Sequence, residues 1–114
     1  MTDPFRNEVA ITLAGKERVL RADFTAIRAI ERDTSRSMIE LQARGILSVT
    51  EMAKVIFHGL QASGDKELTV EQVGNAILEK GYASPAVMDP IVSFLNGSMA
   101  GFSLGKSEEA TDPQ

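Results

Sequence analysis

Two predicted helix N-termini constrain this sequence more than any other feature. Ser48 stands three residues before Glu51, and Thr69 stands three residues before Gln72, which is the spacing of a capping box at both places. Apolar residues follow each box at helical spacing. The first predicted helix spans 49–62, and its apolar stripe consists of Val49, Met52, Val55, Ile56 and Leu60. The second spans 70–80, and its apolar stripe consists of Val70, Val73, Ile77 and Leu78.

The segment 8–22 alternates in the way that predicts a β-hairpin. Gly15 lies between the two alternating runs, where a turn needs a residue that tolerates positive φ. An isolated hairpin is marginally stable in water, so we expect it to pack on the helices. The predicted like-facing residues are Val9, Ile11 and Leu13 in the first run and Arg18, Leu20 and Ala22 in the second.

Two further helices are predicted between the hairpin and the first capping box. Asp23 is a candidate N-cap for a helix over 24–33. A break at 33–35 separates it from a short helix over 37–44, which Gly45 ends. The residues expected to face inward are Phe24, Ile27 and Ile30 in the first helix and Met38, Ile39 and Leu41 in the second.

The last helix has two candidate starts. Ser84 followed by Pro85 has the pattern of an N-cap and first helical residue, but it places Pro90 in the helix interior, where proline costs a hydrogen bond. A start at Asp89 avoids this cost, so we expect a turn over 85–88 and a helix over 89–96, with Ile91, Phe94 and Leu95 inward. We expect residues 1–6 and 97–114 to be flexible, because both lack periodic apolar residues.

These elements predict an α+β, mainly α fold in a single domain over 7–96, with the hairpin on four to five short helices. A length of 114 residues favours one domain. The net charge is −4, of which half lies in 97–114, and no basic cluster is present, so a nucleic-acid partner is not expected. The sequence contains no signal-like start and no long apolar run, so we expect no membrane partner and a cytoplasmic location.

Catalytic and ligand-binding motifs are weak in this sequence. The absence of cysteine and the single histidine, His58, argue against a zinc or redox site, so we expect no metal and no cofactor. His58 has no recognisable catalytic partner, and the segment 105–107 lacks the context of a phosphate-binding loop. The segment 31–33, and Glu8 with Asp23, could form carboxylate pairs, but solvent-exposed charges at helix ends and faces explain them equally well. We therefore expect no enzymatic activity.

Partner binding is the remaining expectation. Methionine side chains repack easily against different partners, and apolar residues in a flexible tail can order on binding. The candidate partner-binding residues are Met52, Ile56 and Leu60 in the helix over 49–62, Met88 and Met99 near the last helix, and Phe102 and Leu104 in the tail.

The order of elements, together with particular residues, resembles a known family. The relevant segments are 7–9 and 13–16 in the hairpin, 20–24 leading into 29–31, the break at 34–37, and the helical segments 56–60 and 68–74. Over residues 7–96 the chain resembles the small tail-assembly-chaperone-like proteins of gene transfer agents and related siphophage tails. Members of this family are also labelled tail-tube proteins.

This resemblance implies a non-enzymatic chaperone that binds the tape-measure protein and assists assembly of tail-tube subunits in the host cytoplasm. The alternative is a structural tube or connector component of the particle, and a weaker alternative is a small ligand-binding domain or enzyme using His58. The residues leave the oligomeric state open, and a homo-oligomer is one expectation.

Overall fold

The computed structural model describes residues 7–100, which form a two-stranded hairpin followed by five helices. The flexible segment expected at 1–6 lies outside the described residues, as do 101–114 with Phe102, Leu104 and the 105–107 triplet. The elements are β1 Glu8–Leu13, β2 Lys16–Arg21, α1 Phe24–Thr34, α2 Met38–Arg44, α3 Val49–Ser63, α4 Val70–Lys80 and α5 Pro85–Ala100. The predicted fold class is confirmed.

The hairpin pairs its strands without a bulge, from Glu8 opposite Arg21 to Leu13 opposite Lys16. Its two-residue turn places Ala14 at φ 50° and Gly15 at φ 84°, the positive values that match the twist of the flanking strands. The residues predicted to share one face lie against the core: Ile11, Leu13, Arg18, Leu20 and Ala22 are buried, and Val9 is partly buried.

Helix α3 lies at the centre of the fold and contacts β2, α1 and α4. Both predicted capping boxes are present: Ser48 accepts from the backbone N–H of Glu51 at 3.0 Å, and Thr69 accepts from that of Gln72 at 3.1 Å. Gly59 allows α3 to approach its neighbours closely, because a Cβ there would lie 3.1 Å from the Cβ of Leu20 and 3.3 Å from the ring of Phe94.

Arg18 connects the hairpin to the loop between α3 and α4. Its Nε donates to the Leu13 carbonyl at 2.7 Å, and its Nη1 donates to Asp65 at 3.0 Å and Glu67 at 2.7 Å. The Arg18 residue is only 4% exposed. A buried charge requires such partners, so this cluster explains how a charged residue occupies the apolar face of β2.

Three residues expected to face inward are exposed, which corrects the sequence prediction. Phe24 is 73% exposed, Ile39 63% and Leu78 58%. Consecutive residues of a helix are about 100° apart around its axis. Ile39 and Leu78 directly follow the buried residues Met38 and Ile77 and so project sideways, whereas Phe24, two residues before buried Ala26, points away from the core.

The last helix also differs from the preferred prediction. It begins at Pro85 rather than Asp89 and continues to Ala100, past the expected end at 96, so 97–100 are helical and not part of a tail. Pro90 therefore lies inside the helix. Because Pro90 has no N–H, the Ala86 carbonyl lacks its usual donor within the helix. Ala86 is exposed, so water can donate to that carbonyl instead. The inward residues Ile91, Phe94 and Leu95 are buried as predicted.

Candidate functional site

An apolar groove lies between α2 and α5 and is the first candidate interaction surface. Its volume is about 110 Å³. The side-chain amide of Gln42 donates to that of Asn96 at 3.0 Å and bridges the two helices. We call this feature the α2/α5 groove; its lining residues are Leu41, Gln42, Gly45, Leu47, Met88, Ile91, Val92, Leu95 and Asn96.

Large apolar side chains extend this surface into solvent. Val92 is 45% exposed, and Ile46, between two lining residues of the groove, is 76% exposed. Met99 is 41% exposed, and Val92, Leu95 and Met99 follow one another at the three- and four-residue spacings of one helix face. Single exposed apolar side chains are common on protein surfaces and need no explanation. Several of them beside one apolar groove are typical of a binding site.

The predicted partner-binding residues divide into three groups. Met88 is partly buried and lines the α2/α5 groove, and Met99 lies on the same helix. Phe102 and Leu104 lie outside the described residues. The remaining three, Met52, Ile56 and Leu60, belong to the core with at most 1% exposure each, which corrects the expectation that they face a partner.

A second groove lies between α3 and α4, with a volume of about 270 Å³. Val70, Gly74 and Leu78 line it at i, i+4 and i+8 on α4, and Val49 and Ala53 face them from α3. We call this the α3/α4 groove. It shares no lining residue with the α2/α5 groove.

Sequence reasoning identified Met88 of the α2/α5 groove but missed the arrangement of the other residues that shape the two grooves. On α4, the stripe of Val70, Gly74 and Leu78 runs beside the core stripe, and its spacing is visible in the sequence. On α5, Met88 and Val92 were not recognised as neighbours on one helix face, because the helix was predicted to begin at Asp89 and so excluded Met88.

His58 lies beside the carboxylate of Asp33, which is 25 residues earlier in the sequence. Its Nε2 lies 2.9 Å from Asp33 Oδ2, and Lys54 Nζ donates to the Asp33 backbone carbonyl at 2.9 Å. The hydrogen bond from His58 lowers the pKa of the Asp33 carboxyl below its usual value, and Lys54 lowers this pKa further. These contacts join the C-terminal end of α1 to α3, so His58 and Asp33 help to hold the two helices together.

Asp23 and Glu31 each accept a hydrogen bond from the backbone near a helix N-terminus. Asp23 caps α1 by accepting from the Ala26 backbone N–H at 2.8 Å, and Glu31 accepts from the Met38 backbone N–H at 2.8 Å. Within residues 7–100, no group of three or more histidine and acidic side chains is placed to hold a metal ion. In the same part of the chain, no helix has both the length and the apolar character needed to cross a membrane.

Comparison with known proteins identifies the family of this fold. The model of the family described as phage tail tube protein, GTA-gp10, matches residues 6–101. A search of curated proteins and a search of solved structures each found no match. The match extends from the hairpin through α5 and so includes both grooves. The chain therefore belongs to the GTA-gp10 family of phage tail tube proteins.

Proposed function

We propose that this protein is a structural component of the tail of a phage or gene transfer agent, incorporated in many copies as part of the tube or of a connector. The match of a tail-tube family to residues 6–101 is the observation that carries this proposal. The α2/α5 and α3/α4 grooves support it, because a repeating subunit needs surfaces that contact its neighbours.

The two grooves suit a subunit with two different neighbours. They share no lining residue, and an exposed apolar side chain lies in each, Val92 in one and Leu78 in the other. Contacts between unlike surfaces produce rings when the rotation closes and helical assemblies when it does not. A homo-oligomer built through these grooves is part of the proposal.

An assembly chaperone is the second candidate function. As a chaperone, the protein would bind the tape-measure protein in the host cytoplasm and assist assembly of tail-tube subunits. Both grooves lie between two helices, and a groove of this kind can bind the apolar face of a partner helix. This arrangement favours the chaperone function. Both functions are non-enzymatic. The structural role of the His58–Asp33 contact supports that part of the proposal.

Mass spectrometry of purified particles tests the proposal against the chaperone alternative. A structural component should be present in many copies relative to a single-copy tail protein. If the protein is absent from particles but copurifies with the tape-measure protein from producing cells, the chaperone function is correct and the structural proposal is wrong.

Matched variants test whether the grooves provide the contacts. Leu78→Asp and Val92→Asp each place a charge on one groove, and Phe24→Asp is the control, an exposed apolar residue that lines neither groove. We expect each groove variant to reduce incorporation into particles about fivefold or more, because loss of a central interface side chain costs over ~1 kcal/mol. Circular dichroism should show that all three variants fold. Equal incorporation of the three folded variants would contradict the role of the grooves.

A further inference from the structure

The α2/α5 groove differs from the α3/α4 groove in the charge of its lining. All of its lining residues are uncharged, whereas Glu71 lines the α3/α4 groove. The sequence of α5 contains no charged residue after Asp89. The α2/α5 groove therefore lacks the charges by which a surface selects an oppositely charged partner.

The charged side chains of α2 make contacts elsewhere. Glu40 accepts from the Ser37 backbone N–H at the start of α2, at 2.8 Å. Arg44 Nη1 lies 3.7 Å from the carboxylate of Glu51 on α3. Neither side chain lines the groove, so α2 adds no charge to it.

We propose that the α2/α5 groove, with the exposed apolar residues beside it, pairs with the same surface of a second copy of this chain. In this contact Ile46, Val92 and Met99 of each copy pack against the groove of the other. The proposal rests on the proposed function and deepens it, because it names the partner of one groove and leaves the α3/α4 groove for a different neighbour.

The charge of the chain favours self-pairing at an uncharged surface. The net charge is −4, so two copies repel each other. A two-fold contact joins the same patch of both copies, and a charge near its centre faces an identical charge. Such like-charge contacts are unfavourable. The α2/α5 groove avoids this repulsion, whereas self-pairing of the α3/α4 groove would bring the Glu71 side chains of two copies together.

The two amides at the groove are suited to a two-fold contact. The Gln42 amide nitrogen donates to the Asn96 amide oxygen at 3.0 Å, and both residues are exposed. This bond does not use the Gln42 oxygen or the Asn96 nitrogen, which are an acceptor and a donor. Across a two-fold axis, the Gln42 oxygen of each copy can accept from the Asn96 nitrogen of the other. The amides then keep hydrogen-bond partners when the contact excludes water.

The size of the surface indicates a weak, reversible dimer. Helix α5 has 16 residues and is therefore ~24 Å long, and two neighbouring helices are together ~20 Å wide. The surface thus covers roughly 500 Å² on each copy, and the pair would bury about 1,000 Å² in total, at the lower limit for a specific interface. We therefore expect a dimer that dissociates on dilution.

Single-cysteine variants test the two-fold geometry, because the natural sequence contains no cysteine. Val92 lies at the middle of α5, so Val92→Cys places two thiols near the axis; Leu78→Cys is the matched control, exposed in the α3/α4 groove. Under mild oxidation of the purified full chain, we expect Val92→Cys to form disulfide-linked dimers at least about tenfold faster than Leu78→Cys, because pairing raises the effective concentration of the thiols. Equal rates would overturn the proposal. Faster cross-linking between a mass-tagged Val92→Cys chain and a Leu78→Cys chain would also overturn it, since unlike surfaces would then be in contact.

Charge variants without cysteine provide a second measurement. Sedimentation of the purified natural chain should show a mass that rises with concentration toward that of a dimer. Val92→Asp and Asn96→Asp should each raise the dimer dissociation constant about tenfold or more, because each copy then places a negative charge opposite its own image. Asn96→Asp retains an oxygen that accepts from Gln42, so the bridge between α2 and α5 remains. Leu78→Asp is the control and should leave the dissociation constant unchanged. Equal effects of the three folded variants would contradict the pairing.

This pairing and the proposed function fail separately. If the purified chain is monomeric at all concentrations while particles contain it in many copies, the pairing is wrong and the structural function stands. If the chain dimerises as described but particles lack it, the pairing is correct and the structural function is wrong.

Discussion

At the scale of single residues, Arg18 shows how one side chain connects distant parts of the chain. Burial opposes its charged form, but the hydrogen bonds that Arg18 donates to Glu67 and Asp65, together with their negative charges, outweigh burial and raise the pKa of Arg18 above its usual value. The same contact lowers the pKa of the Glu67 carboxyl. Since Arg18 also bonds to the Leu13 carbonyl, its removal affects both the hairpin and the α3–α4 loop.

Replacement of Arg18 should therefore destabilise the protein. We expect Arg18→Ala to lower the free energy of unfolding by about 2–3 kcal/mol, because it leaves the Leu13 carbonyl without this donor and Asp65 without its buried partner. Chemical denaturation at pH 7, followed by circular dichroism, measures this change.

Lys16 provides the matched control for Arg18. Its Nζ also contacts Glu67, at 3.2 Å, but both side chains are more than half exposed. Solvent weakens such a pair, so Lys16→Ala should change the free energy of unfolding by less than ~0.5 kcal/mol. Similar losses for the two variants would show that burial does not set the strength of the Arg18 contacts.

At the scale of elements, α5 differs from the other helices because it contains two prolines in different settings. Pro85 occupies the first helical position, where its missing N–H has no intrahelical acceptor to lose. Pro90 lies within the helix and deprives the Ala86 carbonyl of its usual donor. The helix continues because the interruption lies in its first turns and because Val87, Ile91, Phe94 and Leu95 bury its apolar face.

The two prolines should respond to replacement with opposite signs. Pro90→Ala restores the missing N–H and should raise the free energy of unfolding by about 1–2 kcal/mol, part of the gain being offset by the greater freedom of the unfolded chain. Pro85→Ala only adds freedom to the unfolded chain and should lower stability by about 0.4–1 kcal/mol. Thermal unfolding of both variants beside the natural chain measures the signs. A loss of stability in Pro90→Ala would mean that the packing of the proline ring outweighs the missing hydrogen bond.

At the scale of the whole molecule, three carboxylates join separate elements. Asp33 connects the end of α1 to α3, and Glu67 contacts Arg18 and Lys16 of the hairpin. Glu51 accepts from the Ser48 backbone N–H and from Arg36, and this backbone bond is the main cause of its lowered pKa. All three pKa values are lowered in the folded protein.

These lowered pKa values predict loss of stability in acid. A carboxylate with a lower pKa in the folded state contributes stability that is complete above its unfolded pKa and is lost as the pH falls through its folded pKa. The ordinary values are 3.8 for Asp33 and 4.5 for Glu51 and Glu67. The denaturation midpoint should therefore be nearly constant from pH 7 to pH 5 and should fall progressively from about pH 4.5 downward.

Glu51→Gln tests the contribution of one carboxylate to this pH dependence. Glutamine retains an oxygen that can accept from the Ser48 backbone N–H, but it does not ionise. We expect a lower midpoint than the natural chain at pH 7 and a smaller difference at pH 3, where Glu51 loses its charge. A difference that is the same at both pH values would show that the charge of Glu51 does not stabilise the fold.

The features that the sequence predicts correctly depend on local interactions. The capping boxes at Ser48 and Thr69, the hairpin turn at Gly15 and the inward face of the strands depend on residues only a few positions apart. Such interactions act within one element, so spacing alone predicts them. The family match agrees with the resemblance in residues 7–96, which rests on the order of the same elements.

Which apolar residues remain exposed depends on how the elements pack against one another. Met52 and Leu78 both follow helical spacing, yet the first is in the core and the second lies in a groove. Burial depends on the neighbouring element, and no spacing within one helix specifies that neighbour. The same reason applies to Arg18, whose partners are 47 and 49 residues away, and to α5, where packing of the apolar face offsets the cost of Pro90.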